Sequence, residues 1–287
     1  MKQVALVTYA SCPELSDDDR LLIPALRQLG VEAKSAVWDG PIDWTRFDQV
    51  VLRSCWDYHL RADEFLEWVE NLERSCVPLQ NIPSLVRWNL DKRYLRQLEV
   101  AGATIPPTVW IEDREEASVQ EILDAQGWDS AVAKPTISAS AHNLRRVFKS
   151  EPVVRLKGPA MVQQFVPQIL GAGEWSLVFI GGDYSHSVIK RPAPGDFRVQ
   201  WQFGGEAFLA EPTPETVAAV NNLLASLPDR PLYARVDGIE CESGFVLMEV
   251  ELIEPVLFLG LATASDRFAE RIVNGAKWME ANGGIRD

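Results

Sequence analysis

Histidine, cysteine and long apolar runs are all scarce in this chain of 287 residues. The three histidines, His59, His142 and His186, are dispersed and offer no metal-ligand spacing. The four cysteines, Cys12, Cys55, Cys76 and Cys241, lack the close pairing of a structural zinc site or a redox dithiol, which fits a reducing cytoplasm. No stretch approaches the roughly 20 uninterrupted apolar residues of a membrane helix. The apolar run at residues 4–7 is too short for a secretory signal, so a soluble, cytoplasmic protein is expected. Positive charge is also in deficit: 28 Lys and Arg against 41 Asp and Glu leave a formal charge of -13. That balance opposes nucleic acid, and any phosphate must be bound by locally gathered cations. Neither a Walker A loop nor a dinucleotide glycine fingerprint occurs, so a nucleotide would need another scaffold.

What is present reads first as alternating strands and helices. Residues 4–8, 32–37 and 49–53 are β-prone. Between them, Ser16 with Asp17, Asp18 and Asp19 predicts a capped helix start, Leu22, Leu26 and Leu29 a stripe, and Gly30 a stop. Phe65, Trp68, Val69 and Leu72 mark a further helix, and the order implies a parallel α/β lobe of about 85 residues. Ser84 then reads as the cap of one long helix carrying Leu85, Trp88, Leu95 and Leu98 up to Gly102. Beyond a strand at 108–111 and a helix through Ile122 and Leu123, the pattern turns strand-rich: 131–134, 144–148, 160–165, 176–180 and 184–189. A helix at 213–227, a hairpin of 232–239 with 245–253, and a helix at 265–279 complete the expectation.

Alternation along residues 233–237 puts Tyr233, Arg235 and Asp237 on one strand face, and Glu249 and Glu251 share a face of the next strand. A turn centred on Ser243 sets Asp237 opposite Glu249, so three carboxylates would meet in one place and need a cation, for which Mg²⁺ is suited. The plainer reading is a solvated face opposite Val246, Met248, Val250 and Leu252. Lys134 ends a strand before the small-residue loop 136–142, where backbone N–H groups could approach phosphate oxygens, and Lys92 follows Asn89 and Asp91 on a helix. Either lysine could equally be a solvated surface charge.

The strand 160–167 is apolar enough to flank an adenine, with backbone near Gln164 and Val166 facing its edge, or it is simply a buried strand. Lys190-Arg191-Pro192 and Gly195-Asp196-Phe197-Arg198, followed by Gly204-Gly205, gather cations around a Pro/Gly loop in an otherwise acidic chain. Arg53 to His59 sit where the third strand ends, the place where open α/β sheets hold ligands.

In order along the chain, Asn89-Leu90-Asp91-Lys92, Val132-Ala133-Lys134-Pro135, Gln163-Gln164-Phe165-Val166, Gly195-Asp196-Phe197-Arg198 with Gly204-Gly205, Arg235-Val236-Asp237 and Glu249-Val250-Glu251 resemble the ATP-grasp superfamily. The segment 53–59, with Ser185-His186 and Lys190-Arg191-Pro192, is similar to the D-cycloserine ligase group, and the loop before Gly204-Gly205 to bacterial glutathione synthetases. The resemblance implies an α/β and α+β protein: a preATP-grasp α/β lobe at residues 1–83, a central ATP-grasp lobe at 84–165 and a C-terminal lobe with the metal site at 166–287. The last two would clasp ATP.

By the same resemblance, Lys92, Lys134, Ser138, Ser140, Lys190, Gln164, Phe165 and Val166 bind ATP. Asp237, Glu249 and Glu251 hold Mg²⁺, as two ions with Mn²⁺ able to substitute. Arg198 and Arg235 are catalytic, and Arg53, His59, Glu174 and Arg191 meet substrate. Many members have Asn at the place of Glu251 and glycines where this phosphate loop has Ser and Ala. The implied activity is carboxylate activation as an acyl phosphate for attack by an amine, cycloserine-type ring closure included. An ATP-grasp phosphotransferase or a non-catalytic nucleotide-binding regulator are the alternatives. Partners would be small acyl and amine substrates, with no nucleic acid or membrane, in a monomer or homodimer.

Overall fold

In the computed structural model, which describes residues 1–282 with side chains through Asn274, the first apolar run becomes the centre of a parallel sheet. The elements of this part are β1 (Lys2–Thr8), α1 (Asp17–Arg20), α2 (Leu22–Gln28), β2 (Val31–Val37), β3 (Gln49–Ser54), α3 (Ala62–Arg74) and β4 (Leu79–Gln80). The strand order is β2-β1-β3-β4, and β3 is buried along its whole length, as a parallel sheet covered by helices requires. Ser16 caps α1 as its sequence predicts, accepting from the Asp19 amide at 3.1 Å. The expected single helix is nevertheless split at Leu21, because Pro24 has no N–H for the residue 20 carbonyl. The two-residue β4 carries too little pattern to be seen in sequence.

The next part comprises α4 (Pro83–Leu90), α5 (Tyr94–Val100), β5 (Thr108–Ile111), β6 (Glu116–Ser118), α6 (Val119–Gln126), β7 (Ser130–Pro135), β8 (Arg145–Phe148), β9 (Arg155–Lys157) and β10 (Ala160–Gln164). One helix was expected where α4 and α5 stand, with Ser84 as its cap. Instead Ile82 precedes Pro83 at the start. The chain then breaks after Leu90, where the Asp91 carboxylate accepts from the Arg93 amide at 2.9 Å and competes with the helix. The sheet runs β5-β10-β7-β8, antiparallel throughout, with Val119 and Leu123 of α6 packed on Ile111, Ala131, Ala133 and Val162. β6 and β9 make a separate ribbon.

Last come β11 (Glu174–Ile180), β12 (Asp183–Arg191), β13 (Glu206–Leu209), α7 (Pro214–Ala225), β14 (Tyr233–Cys241), β15 (Gly244–Glu251) and α8 (Ala264–Asn282). They build a five-stranded antiparallel sheet, β13-β12-β11-β14-β15. Gly181 and Gly182, at φ +63° and +81°, make the two-residue turn between β11 and β12, a conformation costly for residues with a Cβ. α8 covers the helix expected at 265–279; the side chains of its last turns lie outside the described residues. Its Phe268 and Ile272 pack with Val4, Leu6, Leu22 and Leu26, so the end of the chain is built into the core of its beginning. Among the described residues, no helix is long and apolar enough to cross a membrane.

β15 is an edge strand whose outer ladder groups are satisfied by side chains. Asn89 donates to the Val250 carbonyl at 2.7 Å and accepts from the Leu252 amide at 2.8 Å, while the Tyr94 hydroxyl bonds both polar groups of Val250 at 2.9 Å. These bonds close the sheet edge and bring Lys92, between them in sequence, beside β15.

Candidate active site

The acidic face of β14 and β15 depends on an irregularity. The tight turn pairs Cys241 with Gly244 and Gly238 with Leu247, a register that would set Asp237 against Met248. A bulge between Asp237 and Gly238 takes up Met248 as an extra residue and brings Asp237 opposite Glu249. The expected pairing is therefore met by a different route, and the expected alternation is corrected. Leu247 joins Val250 and Leu252 in the core, whereas Met248 turns to the other side beside Ile239. Glu249 and Glu251 share a cavity with Asp237.

The three acids do meet at one place, but the charge that neutralises them comes from the protein. Lys92 pairs with Glu249 at 2.9 Å, Lys190 with Asp237 at 3.0 Å and with Glu174 at 2.5 Å. Arg235 pairs with Asp237 at 2.9 Å and also with Glu251, and Ser176 donates to Asp237 at 2.5 Å. Burial alone would raise the Asp237 carboxyl, yet Arg235 and Lys190 hold it well below the usual range. Lys92 and Lys134 likewise overcome burial and lower Glu249. Glu251 goes the other way: burial, with Asp237 and Glu249 adding to it against Arg235, pushes it up to about 7. Oxygen donors facing one cavity are of the type a hard divalent cation takes. As these side chains stand, no group of three or more His, Cys, Asp or Glu among the described residues is placed to hold a metal.

Two adjoining compartments share Lys134, Glu249 and Glu251 as a common wall. The first is further lined by Lys92, Ser138, Ser140, Lys190 and Arg235, and the second by Gln164, Phe165, Val166, Glu174, Arg198 and Asp237. Lys92 sits in the break between α4 and α5, not on a helix as expected. Its amide donates to Thr136 O at 2.9 Å and its ammonium to Ser138 O, which fastens the loop 136–143 to the acids. In that loop Ser140, Ala141 and Asn143 have positive φ, 51°, 56° and 53°. Lys134 is buried, which lowers its ammonium, with Glu249 opposing. At the end of β10 the amides of Gln164 and Phe165 are already bonded, to Pro107 O at 2.8 Å and to Ser130 O at 3.2 Å.

Several candidates stand elsewhere than the sequence suggests. Arg53 is wholly buried: it donates to Asp19 at 2.8 Å and to Pro255 O at 2.7 Å, and lies 4.9 Å from the centre of the Tyr233 ring. A substrate role for it is thereby withdrawn. Arg191, one residue past Lys190, points from the opposite face of β12, exposed and 5.8 Å from the Phe208 ring centre, so it too is withdrawn. Arg198 lines the second compartment, but its guanidinium is engaged by Asp196 at 2.7 Å, which pushes that acid down to about 2, and stacks on Phe203 at 3.6 Å. Its loop closes on Gly205, where a Cβ would lie 2.1 Å from Val199 O.

His59 packs against His142 of the loop 136–143, ring centres 5.0 Å apart, with Nδ1 buried and unpartnered. Burial first, then His142 and Lys92, lowers its imidazole to about 4. The unfolded residue titrates near 6.5, about its ordinary value, so between the two pH values the unfolded chain binds the extra proton. The stability contributed is complete above that unfolded value and is lost as pH falls toward the folded one. A His59→Gln variant should show a shallower decline of melting temperature over this window than the parent; parallel profiles would contradict the assignment.

Trp56, Tyr58, Asn89 and Glu254 were not singled out as site residues, yet all line the first compartment. Glu254 is only 8% exposed. The one sequence signal for it is an acid three residues beyond Glu251 and directly before Pro255, past the end of β15, where strand alternation no longer indicates direction.

The cleft lies between two antiparallel sheets and is lined by acids and by a loop fastened to Lys92, and the chain is an ATP-grasp ligase, an ATP-dependent enzyme that joins a carboxylate to an amine. Residues 4–81 match the family model described as "D-cycloserine synthetase DcsG, N-terminal domain". The chain is 33% identical over 297 residues to the cycloserine biosynthesis protein DcsG of Streptomyces lavendulae, across 96% of this chain and 99% of that one. It belongs to that family. The crystal structure of D-cycloserine synthetase DcsG superposes with a TM-score of 0.83 at 27% identity, covering 96% of this chain and 99% of that chain. A glutathione synthetase of Prochlorococcus marinus is 24% identical over 210 residues, 69% of this chain and 64% of its own length. The D-alanine–D-alanine ligase of Bacillus anthracis shares the fold, with a TM-score of 0.68 at 13% identity over 99% of this chain and 100% of that chain. Use of ATP with a divalent metal goes with the family.

Proposed function

We propose that this ligase closes a ring within an amino-acid derivative, the substrate's own carboxylate and nitrogen supplying the two ends. A carboxylate oxygen attacks the γ-phosphorus as the bond to ADP breaks; the nitrogen then attacks the acyl carbon and phosphate leaves with the former carboxylate oxygen. The observation that carries the reading is the likeness to DcsG over nearly the full length of both chains. In it, Lys92, Lys134, Lys190 and the loop with Ser138 and Ser140 receive the phosphates, and Gln164, Phe165 and Val166 flank the adenine. Arg235 stabilises developing charge, Arg198 joins it once released from Asp196, and Glu174 orders Lys190.

Asp237, Glu249 and Glu251 would hold Mg²⁺, as two ions with Mn²⁺ an acceptable substitute, and the cation would neutralise the triphosphate oxygens. The division at residues 83/84 and 165/166, a cytoplasmic site of action, a monomer or homodimer, and the absence of a nucleic-acid partner belong to the same proposal. The test is ADP release with Mg-ATP over a panel of amino acids that includes O-ureido-serine, with the product weighed by mass spectrometry. One free phosphate per ADP and a product lighter by the elements lost in ring closure are expected. Phosphate retained on the product would mean a phosphotransferase.

A further inference from the structure

Beyond β15 the chain crosses the floor of the first compartment, and four consecutive carbonyls are held there by four different side chains. The Tyr233 hydroxyl donates to Ile253 O at 2.9 Å, Trp56 Nε1 to Glu254 O at 3.1 Å, Arg53 to Pro255 O at 2.7 Å and Arg235 to Val256 O at 3.1 Å. Two of the four come from the first sheet and its following loop, and two from β14. Pro255 adds a fixed φ of its own. A backbone held at every peptide unit cannot rotate, so the direction of the Glu254 side chain, the only ionisable one in this stretch, is set by both sheets together.

Glu254 lines the cavity together with Lys92, Glu249, Glu251, Trp56 and Tyr58. Of the other acids around the two compartments, Glu174 and Asp237 share Lys190, Glu249 takes Lys92 and Glu251 takes Arg235, whereas Glu206 is exposed to solvent. Glu254 makes no side-chain hydrogen bond or ion pair among the described residues, although it is more than nine-tenths buried. A buried acid without a counter-charge is costly. A fixed one, lining a binding compartment, is a place prepared for a cation brought by the ligand.

We propose that Glu254 receives the ammonium group of the amino-acid substrate and thereby orients the carboxylate of that molecule toward ATP. An ammonium presents three donors and a full positive charge, the complement of a carboxyl group that burial, with Glu251 and Glu249, holds well above the usual carboxylate range until a cation arrives. Water has no comparable charge to offer, and of the lysines lining the compartment Lys92 and Lys190 are already paired. A site built around such a bond rejects a substrate lacking the donor far more strongly than an apolar pocket rejects a missing methylene. Glu254 thus confers specificity for amino acids over hydroxy or deaminated acids.

The inference rests on the ligase reading, and its test separates the two. Steady-state ADP release is measured for the panel amino acid that turns over fastest and for its analogue with hydroxyl in place of the α-amino group. The wild-type chain should prefer the amino acid by about 100-fold or more in kcat/KM. Glu254→Gln should raise KM for the amino acid by about tenfold or more, reduce the preference to below about tenfold, and leave KM for ATP within about twofold. Glu254→Asp should recover part of the preference. Undiminished preference in Glu254→Gln overturns the inference, as does an equal rise in both KM values, the mark of a merely structural role. A wild-type chain that releases no ADP with any panel member overturns the ligase reading, and this inference with it.

Discussion

Replacing Glu249 by Gln should lower ADP release by about 100-fold or more in a chain that its melting curve shows to be still folded at the assay temperature. The substitution keeps size and shape and removes one charge from the wall common to both compartments. Glu249 is the acid on which Lys92 and, at longer range, Lys134 converge, and Lys92 also fastens the loop 136–143 through Ser138 O. Loss of the charge removes the counter-ion of one lysine, the electrostatic partner of another and an anionic oxygen donor for a divalent cation at the same moment. Turnover above a tenth of the wild-type rate would contradict the assignment. Stranding Lys92, only 5% exposed, lowers stability, but the fold is kept because the sheet is held at this point by Val250 and Leu252.

The second large effect concerns stability. Arg53→Met should cost about 3–5 kcal/mol in urea unfolding, since it strands Asp19, only 2% exposed, without its cation. Asp19 retains the hydroxyls of Ser16 at 2.8 Å and Ser54 at 2.5 Å, which solvate a carboxylate but do not neutralise it. Adding Asp19→Asn should therefore recover about 1 kcal/mol or more, because most of the loss is the uncompensated charge. A single-variant loss below about 1 kcal/mol would refute the structural role given to Arg53. The effect is large because this guanidinium joins three remote parts of the chain: α1, β3 and the segment that carries Glu254.

Where charge density and local spacing carry the information, the site was legible. Lys92, Lys134, Lys190, Arg235, Asp237, Glu249 and Glu251 were all picked from short motifs, and all line the two compartments. Arg53 and Arg191 were misjudged for a common reason. Both sit in cation-rich segments, and whether such a cation enters a cavity, a core or solvent depends on which strand face it occupies and what lies across from it. The helix breaks at Leu21 and Asp91 were likewise hidden, because a continuous apolar stripe masked local chemistry at Pro24 and Asp91.

By itself the sequence determined the class of most main elements, though not the strands β6, β9 and β13, together with the parallel character of the first sheet, the hairpin that carries the acids and the family resemblance, all of which follow from local periodicity and the order of motifs. Only the tertiary structure decided the bulge that aligns Asp237 with Glu249, the protein cations that neutralise the acids, the burial of Arg53 and the isolation of Glu254. Each of these is settled by groups far apart in the chain, some of them about 200 residues away. Pairwise electrostatics and burial act through space, and strand alternation ceases to report direction once a bulge or the end of a sheet intervenes.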